Sequence, residues 1–397
     1  MRGLYRYLSP FTPDQSGALS VLFELGGLTV ICDAGGCAGN VCGFDEPRFA
    51  SKKSAVFSAC LRDMDAIMGR DDRLIEKTGK ALASFPDASF IAYIGTPVPA
   101  VIGTDFRALR RMAENRFGLP VVTCGTNGMD SYESGMEKAY RALVDTFADC
   151  RSAGEPAPYP ENGVPADTVH SGRRTVPDTP ERFAGVWGAS PLELAAPGSA
   201  ALLRAYLAEK GIRAVTYGMD STLGDVRRCG EASVNYALSP SGLAAARYLA
   251  QKFGTPYEIL PPLSDTGVPD LPPARTLCGP VLVVHQQYMA NAVRNYIRTA
   301  TASSGRGGQR IDTATFFAFD RDAAEKNDCR IAGEDEFISL AASGGYRTIV
   351  ADPLLLRALP DFSGTFIPLP HFAVSGQLYA VSDEETFMAP LRRELFG

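Results

Sequence analysis

LTVICDAGGCAGNVCGFDEPR, Leu28–Arg48, decides how the rest of the chain is read. A short apolar run, Leu28–Cys32, predicts a strand, and a glycine-rich loop over Asp33–Gly43 follows it directly. Outward from this stretch the alternation repeats. Ser89–Gly95 predicts a second strand, followed by a loop at 96–104 and a helix over Asp105–Phe117. Pro120–Cys124 predicts a third, followed by a glycine-rich turn at Cys124–Gly128 and a helix over Tyr132–Phe147. Strands alternating with amphipathic helices at this spacing build βαβ units on a parallel sheet.

Residues 151–180 interrupt the pattern with Pro, Gly and charge and read as a linker or surface excursion. Strands are then predicted at Ala184–Gly188 and Ile212–Tyr217, Ser233–Leu238 reads as an apolar segment, and helices are predicted at Ser199–Lys210 and Gly242–Phe253. A second Pro-rich boundary, 261–275, precedes a third run that opens with Val281–His285. Further strands are predicted near Thr313–Phe319 and Arg347–Ala351. The expected fold class is α/β, with three Rossmann-like, doubly wound units of parallel sheet: a first domain over 1–150, the linker over 151–180, a second domain over 181–265 and a third over 266–397. Ligands of such folds sit at the carboxyl ends of the strands. The loops at 33–43, 96–104 and 124–128 all follow strands, so one edge should carry them.

Composition narrows the function. The chain has 397 residues, 39 Lys+Arg against 45 Asp+Glu, and a net charge of −6. A protein that coats nucleic acid or anionic lipid needs a basic surface, so neither partner is expected. The most apolar stretch, Ala18–Cys32, is broken by Glu24 and Gly26–Gly27 and is too short to span a membrane. MRGLYRYLSP holds no continuous apolar segment, so no signal peptide is expected and the expected location is cytoplasmic. Nine cysteines in a reducing compartment then point to metal ligation, catalysis or packing rather than disulfides.

Cys32, Cys37 and Cys42 stand at five-residue intervals in the glycine loop, and Cys60, beginning or within the next helical stretch, offers a fourth soft ligand. Gly35, Gly36 and Gly39 let backbone approach an inorganic cluster and offer N–H groups to its sulfurs. Thiolates suit iron–sulfur clusters or zinc. The C-x4-C-x4-C spacing is loose for zinc and unlike a ferredoxin run. In the plainer alternative, Cys32 and Cys60 are packing residues and Cys37 alone matters. Asp33, Asp45 and Glu46 flank the loop, as possible iron ligands or proton relays, or as ordinary loop charges. Of the three histidines, His170 lies in the linker and is expected to be solvated. His285 ends a strand and reads as a packed or capping imidazole. His371, in IPLPHFAVSGQ, is the candidate catalytic group, a proton donor or ligand facing the same edge, with a satisfied turn histidine as the alternative. There is no P-loop, no dinucleotide fingerprint, no H-E-x-x-H and no serine-triad motif. An enzyme built this way draws its reactivity from a bound cofactor and its electrons from elsewhere.

Four stretches together resemble the nitrogenase component 1 family: LTVICDAGGCAGN (Leu28–Asn40), FSACLRDMDAIMGRDDRLIE (Phe57–Glu76), FIAYIGTPVPAVIGTDFRAL (Phe90–Leu109) and the run Ala205–Tyr257. That family includes nitrogenase molybdenum–iron chains, their cofactor-assembly relatives and related reductases. Cys37 matches the middle one of the family's three cluster cysteines; the other two would fall near Leu8 and at Pro97, where no cysteine stands. The resemblance implies a two-component reductase. A separate P-loop, ATP-dependent iron protein would dock and pass low-potential electrons through an iron–sulfur cluster to a substrate in the cleft between three domains. With one ligand of three retained, it implies either replacement by Cys32, Cys42 and Cys60 or a 4Fe–4S cluster shared between two component 1-type chains, as homodimer or heterodimer. In the shared case the apolar surface of residues 12–31 is expected at the interface. Nitrogen fixation itself is not implied. The competing expectations are a scaffold for metallocluster or cofactor assembly and a metal-free α/β binding protein.

Overall fold

A computed structural model describes residues 5–148, 183–194, 199–260, 279–303 and 308–376. The predicted linkers, His170, Cys150 and Cys278 lie outside the described residues. The first sheet holds β1 (Leu28–Ile31), β2 (Ala55–Ser58), β3 (Ile91–Ile94) and β4 (Val121–Cys124) in the order β2-β1-β3-β4. The second holds β5 (Ala184–Trp187), β6 (Ala214–Thr216), β7 (Val234–Ala237) and β8 (Tyr257–Ile259) in the order β6-β5-β7-β8. The third holds β9 (Val281–Val284), β10 (Ile311–Thr315), β11 (Cys329–Arg330), β12 (Thr348–Ala351) and β13 (Thr365–Pro368) in the order β11-β10-β9-β12-β13. Every strand pairing within these sheets is parallel among the described residues.

All four residues of β1, β3, β5, β9 and β12 are buried. That is the state expected of central parallel strands covered on both faces by crossover helices. In β1, Leu28 and Val30 pack into one core layer and Ile31 into another, as strand alternation requires. The chain is therefore three doubly wound α/β units, as the alternation of apolar runs and helices predicted.

The helices of the first unit are α1 (Asp14–Leu22), α2 (Gly36–Asn40), α3 (Asp63–Met68), α4 (Asp71–Ala83), α5 (Pro97–Ile102), α6 (Phe106–Phe117) and α7 (Tyr132–Phe147). Those of the other two are α8 (Pro191–Leu194), α9 (Ser199–Glu209), α10 (Leu223–Arg227), α11 (Pro240–Phe253), α12 (Gln287–Ser303), α13 (Glu334–Ser343) and α14 (Phe372–Ser375). Helix α1 is buried along its whole length and crosses α7 almost backbone to backbone. A Cβ on Gly17 would stand 1.9 Å from the Tyr132 carbonyl oxygen, and one on Gly135 would stand 1.7 Å from that of Asp14. Only glycine fits either position.

Three expectations are corrected. The segment 33–43 is not all loop: α2 forms there and runs into a π-helical turn at Val41–Asp45, because the Asp33 carboxylate accepts the Ala38 N–H at 2.8 Å. Cys60 is not in a helix. It follows β2 with φ +46, and α3 starts three residues later. Residues 12–31 offer no free apolar face, because α1 and β1 are enclosed by their own chain. Among the described residues no helix is long and apolar enough to cross a membrane.

Candidate functional site

The crevice of an open parallel sheet lies beyond the strand carboxyl ends where strand order reverses. In the first sheet that point is between β1 and β3, flanked by Cys32–Asp45 and Gly95–Ile102. Buried Asp33 organises it, accepting the Ala38 N–H with one oxygen and the Ser58 hydroxyl, at 2.5 Å, with the other. Ser58 Oγ in turn accepts the Cys60 N–H at 3.1 Å and lies 3.2 Å from the Cys60 sulfur. Thr96 closes the far side by donating to the Cys32 carbonyl at 2.8 Å.

The four thiols of this edge are not equivalent. Cys60 is exposed, and Cys37 and Cys42 are half-buried. Cys32 is enclosed in the core beside Leu28 and Val30, its sulfur 3.9 Å from the Val30 carbonyl oxygen. Burial, and secondarily the Asp33 charge, pushes the thiols of Cys32, Cys37 and Cys42 upward. They rest as thiols, and metal binding there would release protons.

Around them the surface is open. A Cβ on Gly35, Gly36, Gly39 or Gly43 would meet nothing within 4 Å, and of these only Gly35, at φ +124, needs glycine for its backbone. Glycine in a helix costs roughly 0.5–1 kcal/mol against alanine. The three others thus weaken α2 and its continuation for no internal reason. The same edge leaves Phe44, Val101 and Met129 at 75%, 85% and 84% exposure, joined by Met64, Ile67 and Met68 of α3. Arg48 anchors the loop's exit: buried, it pairs with Glu46 at 2.8 Å and Glu24 at 3.0 Å and donates to the Gly218 carbonyl of the second unit at 2.9 Å.

Fit to an iron–sulfur cluster can be judged from these donors. Accessible soft ligands and an uncrowded glycine loop suit such a group. No three His, Cys, Asp or Glu side chains converge on a metal position among the described residues. Cys37, Cys42 and Cys60 are the accessible thiols of this face, and Cys32 stands apart from them in the core.

The second and third sheets reverse between β5 and β7 and between β9 and β12. Just beyond them lie Glu193 and Ser239, and His285 and Asp352; Tyr132 and Glu133 reach the same junction from the start of α7. All but Ser239 carry ionisable groups, and all are buried. The Tyr132 hydroxyl is 3.1 Å from His371 Nε2, and His371 stacks on His285 with centroids 4.1 Å apart. The Asp352 carboxylate accepts the His371 backbone N–H at 2.7 Å. His285 accepts the Gln286 N–H at Nδ1 and places Nε2 3.4 Å from the Pro370 carbonyl oxygen. Burial lowers the His285 pKa to about 3 and, with His285 alongside, holds His371 well below its ordinary value. Glu133 accepts the Ala318 N–H at 2.5 Å with one oxygen. Burial raises Glu133, and burial together with Glu133 raises Glu193. Phe316, Phe317, Leu355 and Val374 close round the two imidazoles and leave no room for a water molecule.

His371 thus stands at an interunit junction, with Tyr132 as partner, rather than among the thiols. Asp33 supports the cysteine loop. Asp45 accepts from Ser16 Oγ at 2.7 Å, and Glu46 pairs with Arg48. Sequence reading missed Tyr132, Glu133 and Glu193. The one available signal was Glu193, a lone charge inside the apolar run ASPLELAAP.

With this geometry in hand, the likenesses to known proteins are informative. The profile of the family described as nitrogenase component 1 type oxidoreductase matches residues 15–266. The nitrogenase iron–molybdenum cofactor biosynthesis protein NifE of Klebsiella pneumoniae is 26% identical over 230 residues, covering 56% of this chain and 46% of that protein. The chain spans about half the length of that relative. Among solved structures, nitrogenase Cp1 at pH 6.5 superposes with a TM-score of 0.68 at 11% identity, covering 99% of this chain and 92% of that one. The same protein at pH 5 gives 0.66 at 12% identity. These structures share the fold, and the matched profile spans well over half of the sequence: the chain belongs to the nitrogenase component 1 type oxidoreductases.

Proposed function

We propose that this chain is the catalytic component of a nitrogenase-like two-component reductase. Low-potential electrons come from a P-loop, ATP-dependent iron protein and serve a substrate, as yet unidentified, that must open the closed junction between the units to reach His371. The observation that carries the reading is the open edge of the first sheet: accessible Cys37, Cys42 and Cys60 on an uncrowded glycine loop, ringed by exposed Phe44, Val101 and Met129. Those thiols would hold an iron–sulfur cluster, and with fewer than four per chain the fitting species is a 4Fe–4S cluster shared with a second component 1-type chain. Such a cluster supplies one-electron transfer at low potential. This chain's own residues contribute the rest. Asp33 and Ser58 orient the thiol loop, the apolar rim excludes water from the contact, and Tyr132 and His371 face the substrate side.

The likeness to a cofactor biosynthesis protein supports a second reading, a scaffold that holds a metallocluster and releases it. Iron and acid-labile sulfide per chain, measured after anaerobic purification, test both. About two irons per chain, lost in Cys37→Ala, is the expected result. Iron kept through turnover with the iron protein supports the reductase; iron passed to an acceptor supports the scaffold. Folded protein without iron overturns both.

A further inference from the structure

Glu133 comes from the first unit, Glu193 from the second and His371 from the third, and they meet where the units join. Four buried side-chain atoms here lack a hydrogen-bond partner among the described residues: Glu133 Oε1, both Glu193 oxygens and His371 Nδ1. Native folds leave few such atoms, so a concentration at one place calls for a cause. An ionised carboxylate in this setting is costly unless a cation pairs with it. No salt bridge reaches either glutamate among the described residues; the nearest positive field on Glu133 is that of Arg330 in β11. The remaining titratable groups facing the pair are Tyr132 and Tyr140 of α7 and Tyr288 of α12. The Tyr132 and Ser239 hydroxyls face Glu193 without closing a hydrogen bond within 3.5 Å.

We propose that Glu133 and Glu193 form a proton store, both carboxylic acids in the resting protein, with Tyr132 linking the store to His371. In the transfer step the Glu193 O–H bond breaks and its proton moves to the Tyr132 oxygen. Tyr132 gives its own proton to His371 Nε2, and the imidazole releases the proton on Nδ1 to a basic oxygen or nitrogen atom of the reduced substrate when that atom reaches it. Tyrosine and histidine end neutral, Glu193 ends as carboxylate, and one proton has moved. Burial disfavours a charged imidazole, so His371 passes protons on rather than holding them. The use of those protons rests on the reductase reading, since a reduction consumes protons along with electrons; the protonation of the pair does not.

Infrared difference spectroscopy on the full chain tests this directly. Wild type should show two buried acid carbonyl bands that shift in deuterated buffer. Glu133→Gln should delete one band and Glu193→Gln the other, while Tyr132→Phe should move the Glu193 band and leave that of Glu133. If a variant fails to fold, a pH titration of wild type decides. Bands that persist well above the ordinary glutamate range are expected, and bands lost within that range overturn the proposal. So does thermal stabilisation by manganese(II) that Glu193→Gln abolishes, which would make the pair a cation site. An iron-loaded, active protein without acid bands defeats the proton store alone; acid bands in an iron-free protein defeat the reductase alone.

Discussion

The thiol edge and the acid junction use the same architectural device, residues placed beyond strand ends where a parallel sheet reverses, and arrive at opposite physical states. The edge is open. Its glycines Gly36, Gly39 and Gly43 face empty space, and its large apolar side chains face solvent. The junction is shut, and the glycines around it are wedged: a Cβ on Gly188 would lie 2.3 Å from Ser239 Oγ, and one on Gly242 2.2 Å from the Trp187 carbonyl oxygen. One set of glycines is required by packing inside this chain. The other set has no internal purpose, which is the mark of a surface shaped for something that arrives.

Substitution at both kinds of glycine, and at the groups that accompany them, can break or sharpen this contrast. The largest effect is expected from Gly135→Ala, whose new methyl would press on the Asp14 carbonyl: a loss of roughly 3 kcal/mol or more, or no folded protein at all. Chemical denaturation measures it, and near-normal stability would mean the α1–α7 seam is looser than described. Arg48→Ala comes next at about 3 kcal/mol, because it strands the buried Glu46 carboxylate at the link between the units. Its iron content should fall as well.

Glu193→Gln should run in the stabilising direction at neutral pH, by on the order of 1 kcal/mol. The sign follows from linkage. Burial raises the folded-state pKa above its unfolded value, so the native state holds more protons and wild-type stability declines as pH rises beyond the ordinary glutamate range. The variant should flatten that decline, and a slope unchanged across the same range would count against a buried acid at this position. Gly39→Ala should add about 0.5–1 kcal/mol to the metal-free protein while lowering its iron content, the reverse of the Gly135 result. The smallest effect on stability, effectively none, is expected from alkylating native protein. Cys60, Cys37 and Cys42 should react before unfolding, faster as pH rises for the last two, whose thiols sit above their ordinary value. Cys32 and Cys124 should react only after unfolding, and early labelling of Cys32 would contradict its place in the core.

What was legible in the sequence followed the physics of parallel strands. Runs such as LTVI, IAYI and VLVV are buried on both faces, so unbroken hydrophobicity marks them without knowledge of their neighbours. Helix α2 was illegible because GCAGN has poor intrinsic propensity, and its support comes from the side chain of Asp33, outside the helix. The edge strand β8 is exposed throughout and gives no apolar run to find. The thiol cluster could be read because its members are close in sequence. The acid junction could not: Glu133 looks like an ordinary first-turn acid at a helix start, and its relation to Glu193 and His371 exists only once three units have packed.

The crossing of α1 and α7 through Gly17 and Gly135 has a mechanical meaning. With backbone against backbone there is no cushion of side chains to shear, so α7 can neither roll nor slide on α1. The Asp14 carboxylate at the head of α1 also grips the Asn127 and Gly128 N–H groups, at 2.9 and 2.7 Å. Met129, on the open edge, and Glu133, in the closed junction, therefore sit at the two ends of one short lever whose pivot is fixed. Any displacement of Met129 that carries Glu133 with it must therefore carry α1 along as well.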